Sequence, residues 1–184
     1  SMTNNIKLQE VCKQLHIPVV GTTSWPLPRE AREILRESNP CPFTAADLEE
    51  RLIGTSEFMP RSAIVCLFPY HVPHENPTNL SRYTWATDYH LVVTDYLQRL
   101  IDELKTTAPD ASFSIHCDTS PLADRYIAYL AGLGFYGKNK CFINPTWGSY
   151  IVIGTVLTTL EFESNTPMTD TCMGCNQCIT ACLG

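Results

Sequence analysis

The chain has 184 residues, with 13 Lys and Arg against 19 Asp and Glu, a formal net charge of −6 and 44% hydrophobic residues. That length suits one domain of ordinary size with an appendage, and it excludes a mini-protein too small to bury a core. The acidic balance excludes a general electrostatic affinity for nucleic acid or anionic membrane within this segment, so a nucleic-acid partner would need contacts made elsewhere.

In chain order, Ile6, Leu8, Val11, Cys12 and Leu15 recur at helical spacing and predict a helix over 6–15, ended by His16-Ile17-Pro18. A short apolar run over 18–21 reads as a strand. Between Ser24 and Pro60 the sequence is studded with prolines and holds two charged helical pieces, 29–37 and 44–52. Thr44 followed three residues on by Asp47 is an N-cap signature for the second. Residues 63–68 form a buried strand. The stretch 69–77 carries three prolines and excludes regular structure, and it leads into a long helix over about 86–105. In that helix Leu91, Val92, Tyr96, Leu97, Leu100, Ile101 and Leu104 make one broad apolar face.

A strand over 112–117 and a helix over 122–130, stopped by Gly132 and Gly134, come next. Two further strands, 141–144 and 149–158, flank the turn Pro145-Thr146-Trp147-Gly148, and 161–171 reads as a linker. Strands and helices in this order predict an α/β (α+β sandwich) fold, a central mixed sheet flanked by helices. The strongly apolar stretches have core-strand length, too short to span a bilayer, and the N-terminus lacks the layout of a signal peptide, so the expectation is a soluble, cytoplasmic protein.

Nine cysteines divide into two groups. Cys12, Cys41, Cys66, Cys117 and Cys141 are scattered and are expected to be reduced, small buried residues. Cys172, Cys175, Cys178 and Cys182 form CxxCxxCxxxC, the spacing by which bacterial ferredoxins ligate a [4Fe–4S] cluster, in which the fourth cysteine serves a neighbouring cluster. Zinc fits less well, because its cysteine pairs sit farther apart. The ferredoxin pattern places Pro after the fourth cysteine, where this chain has Leu183, and if Cys182 serves a second cluster the first lacks its fourth ligand within this segment.

Asp118 follows the strand 112–117 and precedes Pro121, a strand-terminal position where α/β folds place reacting groups and also where an aspartate caps local amides. Gly132-Leu133-Gly134-Phe135-Tyr136-Gly137-Lys138-Asn139 suits a loop beside an anionic or bulky cofactor, yet fits neither a Walker loop nor GxGxxG. His90 lies early in the long helix, where a helix-start or packing role outranks metal ligation. His71 and His74 lack a supporting carboxylate arrangement. His116 and Cys117 are adjacent in a strand and point to opposite faces, so they do not make a nucleophile–base pair.

The ordered set Arg82-Tyr83-Thr84-Trp85-Ala86-Thr87-Asp88-Tyr89-His90, Cys117-Asp118-Thr119, Asp124-Arg125, Ala131 through Asn139, Gly148-Ser149-Tyr150 and the terminal cysteines resembles epoxyqueuosine reductase, from about Arg51 to Cys182. The resemblance implies a cobalamin-dependent oxidoreductase of queuosine biosynthesis and tRNA processing. Such enzymes reduce epoxyqueuosine in tRNA to queuosine, with two [4Fe–4S] clusters feeding electrons to the cobalt. It implies Asp118 as proton donor, since opening an epoxide and expelling its oxygen as water require protons at the reacting centre. Arg51, Ser81, Lys138, Asn139 and Ser149, together with Asp118, match positions near the corrin, where amide and hydroxyl groups bond its propionamide arms. It divides the chain into a cobalamin-binding catalytic domain, 2–163, and the start of a ferredoxin-like segment, 164–184, so the chain is expected to be a truncated form. An electron donor such as a flavodoxin or ferredoxin system, and a helical tRNA-engaging region farther along, would complete the whole enzyme. Two alternatives stay open: another corrinoid iron–sulfur reductase such as a reductive dehalogenase, and a non-catalytic cobalamin- or metal-binding module with zinc at the cysteines.

Overall fold

The computed structural model describes residues 2–37, 43–53, 57–69, 89–117, 121–137 and 141–168. Helix α1 spans Met2–Gln14 and buries Leu8, Val11 and Cys12, one helical stripe. His16 ends it with φ 61°, and the amide of Ile17 donates to the carbonyl of Cys12 at 2.9 Å, a Schellman closure with a histidine in the left-handed position. Strand β1 (Val19–Ser24) leads to α2 (Arg29–Glu37) and α3 (Ala45–Ile53). The cap of α3 is reciprocal: the Asp47 amide donates to Thr44 Oγ1 and the Thr44 amide donates to Asp47 Oδ2, each at 3.1 Å. These bonds from Thr44 hold the Asp47 carboxyl below its ordinary pKa. Arg32 on α2 pairs with Glu49 on α3, and Glu49 also accepts the Leu27 amide at 2.9 Å, which fixes the two short helices together.

Strand β2 (Ser62–Pro69) is buried at every position. A continuous apolar run of that length belongs to a strand covered on both faces. After it come α4 (Tyr89–Lys105), β3 (Phe113–Cys117), α5 (Pro121–Leu130), the two-residue strands β4 (Phe135–Tyr136) and β5 (Phe142–Ile143), and β6 (Ile151–Thr158). The main sheet has the order β1-β2-β6-β3, and β4 pairs with β5 separately. The expected α/β sandwich is present, with helices on both faces of a sheet. The sheet is narrower in kind than the mixed one expected: each of its pairings is antiparallel, because β6 inserts between β2 and β3 and runs against both.

The faces of the sheet bury separate cores. Ile64, Cys66 and Phe68 of β2 and Val156 of β6 pack under α1 and α4, where Val93, Leu97, Leu100, Ile101 and Leu104 form the stripe of the long helix. Ala63, Val65 and Leu67 of β2 with Ile153 and Leu157 of β6 pack under α2, α3 and α5. The 161–168 stretch runs along β1: Asn165 N–H donates to the Thr22 carbonyl at 2.8 Å, and the Ser24 amide donates to Ser164 Oγ at 2.6 Å. This covers an edge that would otherwise offer unpaired backbone groups. Among the described residues no helix is long and apolar enough to cross a membrane.

Candidate functional site

Because β6 opposes both β2 and β3, the last residues of β2 and β3 and the first of β6 share one end of the sheet. Pro69 pairs with Ile151, and Cys117 pairs with Gly154. Ser149 lies at this end, two residues before β6, half-buried, its carbonyl accepting the Ile151 amide at 3.0 Å. Cys117 is the last described residue before Asp118, and Pro69 the last before the stretch that carries Ser81. Asp118, Ser81, Lys138, Asn139 and the cysteines Cys172, Cys175, Cys178 and Cys182 lie outside the described residues, as do His71, His74 and Cys41.

The segment read as a glycine-rich loop contains a hairpin. Gly132, φ 78°, closes α5 with its amide on the Tyr129 carbonyl and the Leu133 amide on the Ala128 carbonyl, each at 3.0 Å. A Cβ there would also sit 2.6 Å from the Thr166 carbonyl oxygen, so Gly132 is needed for its φ and for the close passage of the 161–168 stretch. Phe135 then pairs with Ile143 and Tyr136 with Phe142, and the Gly137 amide donates to the Cys141 carbonyl at 2.9 Å. Lys138 and Asn139 thus fall between the described arms of this hairpin in the sequence.

Asn144 ends the hairpin and starts the next turn. Its Oδ1 accepts the amides of Thr146 and Trp147 at 3.0 and 2.9 Å, and its Nδ2 donates to the Leu133 carbonyl at 2.7 Å. Its main chain exchanges two bonds with Gly148, whose φ of 69° closes the turn.

Arg51, in the last turn of α3, is exposed, and its guanidinium carbon stands 4.7 Å from the Phe43 ring centroid. From Phe43 a row of ring contacts continues to Tyr126 at 6.1 Å, from there to Tyr136 at 5.2 Å and on to Phe142 at 5.8 Å. Tyr129 joins at 5.5 Å from Tyr136, its phenol pKa raised by burial. Edge-on and tilted pairs of this kind add about 0.5–1.5 kcal/mol each beyond area burial. The row links the helix bearing Arg51 to the hairpin, a connection between distant positions for which the sequence carries no periodic signal.

His116 and Cys117 do part to opposite faces. Cys117 packs against the core under α1 and α4, whereas His116 Nε2 lies 2.8 Å from Ser114 Oγ, and desolvation lowers the His116 pKa below 6.5. His90 is exposed at the second residue of α4. Asp124 is buried in the first turn of α5, where the positive end of the helix suits a carboxylate, and Arg125 is exposed. Of the scattered cysteines, Cys12 and Cys66 are free and buried, and the Cys66 thiol is pushed well up by its hydrogen bond with Cys12 and by burial. Cys141 is disulfide-bonded, which corrects the reduced state expected of it.

Comparison with known proteins adds independent support. Residues 56–119 match the family model described as epoxyqueuosine reductase QueG, DUF1730. An epoxyqueuosine reductase of Bacillus cereus is 41% identical over 101 residues, 55% of this chain and 27% of that protein. The solved epoxyqueuosine reductase of Streptococcus thermophilus superposes with a TM-score of 0.69 at 26% identity, over 97% of this chain and 52% of the other. An epoxyqueuosine reductase solved with an epoxyqueuosine-modified tRNA stem loop has the same fold, with a TM-score of 0.67 at 24% identity and coverage of 98% and 52%. The fold likeness extends to a reductive dehalogenase linked to B12-dependent dehalogenation, TM-score 0.54 at 14% identity, over 90% of this chain and 21% of that one. The chain spans about a quarter of the length of the curated relative and about half of the solved epoxyqueuosine reductases. Over the stretches matched, this chain is similar in sequence and in fold to epoxyqueuosine reductases.

Proposed function

We propose that the chain is the cobalamin-binding, catalytic portion of an oxidoreductase that reduces epoxyqueuosine in tRNA to queuosine in the cytoplasm. The observation that carries this reading is the shared sheet end, where the close of β3 beside Asp118, the close of β2 and Ser149 ahead of β6 converge. The likeness to epoxyqueuosine reductases, one of them solved with a modified tRNA stem loop, supports it.

The donor chemistry fits a corrin. That group is broad and flat, edged with neutral amide arms, and asks for hydroxyls, amides and well-held cations around its rim. Ser149 offers a half-buried hydroxyl at the sheet end, and Arg51 a guanidinium steadied by the Phe43 ring. Ser81, Lys138 and Asn139 would complete the set of residues holding the arms. Cobalamin, when bound, supplies the reducing chemistry for carbon–oxygen cleavage. Turning the epoxide into an alkene and water takes two electrons and two protons; Asp118 would give one proton to the departing oxygen, which spares an unstable oxyanion, and solvent would give the second. Cys172, Cys175, Cys178 and Cys182 would ligate [4Fe–4S] clusters that relay electrons from a flavodoxin- or ferredoxin-type donor.

The test is turnover of an epoxyqueuosine-bearing tRNA stem loop by the full-length protein reconstituted with cob(II)alamin, clusters and a reductant, read by mass spectrometry of the nucleosides. Queuosine should form, and Asp118→Ala should lose at least about a hundredfold in rate, the scale of a general acid, while retaining cobalamin. Absence of queuosine overturns the assigned reaction, and an unimpaired Asp118→Ala overturns the proton-donor role.

A further inference from the structure

We propose that Asn144 is a positioning residue for the cofactor-facing rim, an inference that rests on the corrin reading above. The residue is 5% exposed, and its side chain makes bonds in each of two directions. Toward the turn, Oδ1 accepts the Thr146 and Trp147 amides; toward the hairpin, Nδ2 donates to the Leu133 carbonyl at 2.7 Å.

Leu133 stands two residues before the first hairpin strand and Asn144 directly after the second, so the Nδ2 bond ties the hairpin together at its base. That closure matters because strands of two residues, Phe135–Tyr136 and Phe142–Ile143, are far below the length at which a hairpin holds its register alone. The Oδ1 bonds and the paired main-chain bonds with Gly148 fix the turn that delivers Ser149. One amide therefore sets the arms flanking Lys138 and Asn139 against the turn flanking Ser149. Residues proposed to grip different arms of one rigid ring need such a common reference, since grip is lost when they move independently.

The chemistry required is specific to a carboxamide. Aspartate accepts both turn amides but has no N–H for Leu133, and its charge would face a carbonyl oxygen. Alanine supplies neither half. Asn144→Asp thus separates the hairpin bond from the turn bonds, and Asn144→Ala removes both.

Two measurements on the whole chain test this: amide hydrogen exchange without cofactor, and calorimetric titration with cob(II)alamin. In Asn144→Asp, exchange over 133–143 should rise about tenfold while 145–149 stays protected, and affinity should fall about tenfold, the ratio for one lost net hydrogen bond. In Asn144→Ala, exchange should rise in both segments and affinity should fall further. Leu35→Ala, a cavity in the core on α2, serves as the control. It should lower the melting temperature yet leave the affinity of the folded protein unchanged, which separates positioning from general stability. Should Asn144→Ala fail to fold, Asn144→Asp carries the test. Wild type that binds, with both variants binding equally, overturns the positioning role alone. Wild type that does not bind cob(II)alamin overturns the corrin reading and this role with it.

Discussion

The faces of the sheet are covered by different chemistry. Under α1 and α4 the core is mostly aliphatic, built by stripes of Leu, Ile and Val that repeat along each helix. Under α3, α5 and the hairpin it carries the aromatic row from Phe43 to Phe142, with Arg51 at one end. The first arrangement is nondirectional, stabilising by area removed from water, about 1.5–3 kcal/mol for each large side chain. The second depends on ring angles, a buried amide and residues at positive φ, so it defines positions as well as stability. The proposed function sits with the second, as expected where a ligand must be held and not merely covered.

The sharpest way to break this comparison is to damage the aliphatic face and look for an effect on the other. Leu97 is fully buried in the middle of the α4 stripe. Leu97→Ala should cost about 2–5 kcal/mol, seen as a lower urea midpoint at unchanged slope, with hydrogen exchange over 133–149 unchanged under native conditions. If exchange in that segment rose in step with the lost stability, the faces would be one cooperative unit and the distinction would fall.

A smaller effect is expected at the polar seam beside α1. Thr22 Oγ1 donates to the Glu163 carbonyl at 2.5 Å and accepts from Asn5 Nδ2 at 3.2 Å, while its amide donates to Asn165 Oδ1 at 3.2 Å. Thr22→Val keeps the shape and removes the hydroxyl, leaving its partners short by about 1–3 kcal/mol. The loss should be local, appearing as faster proteolysis or exchange across 161–166 before global unfolding. Unchanged protection there would show that backbone pairing with β1 suffices to hold the stretch.

The same contrast explains what could be read from sequence. Helix α4 and strand β2 are legible because burial imposes a period or a continuous run on neighbouring residues, but Leu91, read into the apolar face of α4, is exposed, and Val93 enters the core in that turn. The spacing Thr44–Asp47 announced the cap of α3, and Gly132 announced the end of α5. Strand β1 continues to Ser24, beyond the apolar run that ended the reading at Gly21, because Asn5 and the 161–166 stretch satisfy the hydroxyl and amide of Thr22. No local pattern encodes that. The hairpin strands are too short to show alternation, and the turn was read as starting at Pro145, which hid the role of Asn144 as the residue whose side chain binds the turn amides. Arg51 was singled out by resemblance, and its link to the hairpin through successive rings joins residues with no fixed sequence interval.

The mildest prediction concerns pH and the edge strand between the faces. His116 is half-buried on β3 with Ser114 as its partner, and desolvation lowers its pKa from 6.5, disfavouring the imidazolium in the folded state. The unfolded chain therefore binds more protons than the native one in the interval between the lowered value and 6.5. Stability from this group is fully present above 6.5 and is lost as pH falls through the folded value. His116→Gln, which keeps a polar group near Ser114 without a titrating ring, should flatten the acid side of the stability profile while leaving stability above neutrality nearly unchanged. Urea midpoints measured from pH 8 downward check this, and parallel profiles for both proteins would assign the acid limb to carboxylates instead. Because His116 lies on the strand that ends beside Asp118, the same series separates two origins of any acid loss of turnover: a limb that vanishes in His116→Gln reports the strand, and one that persists reports the proton donor.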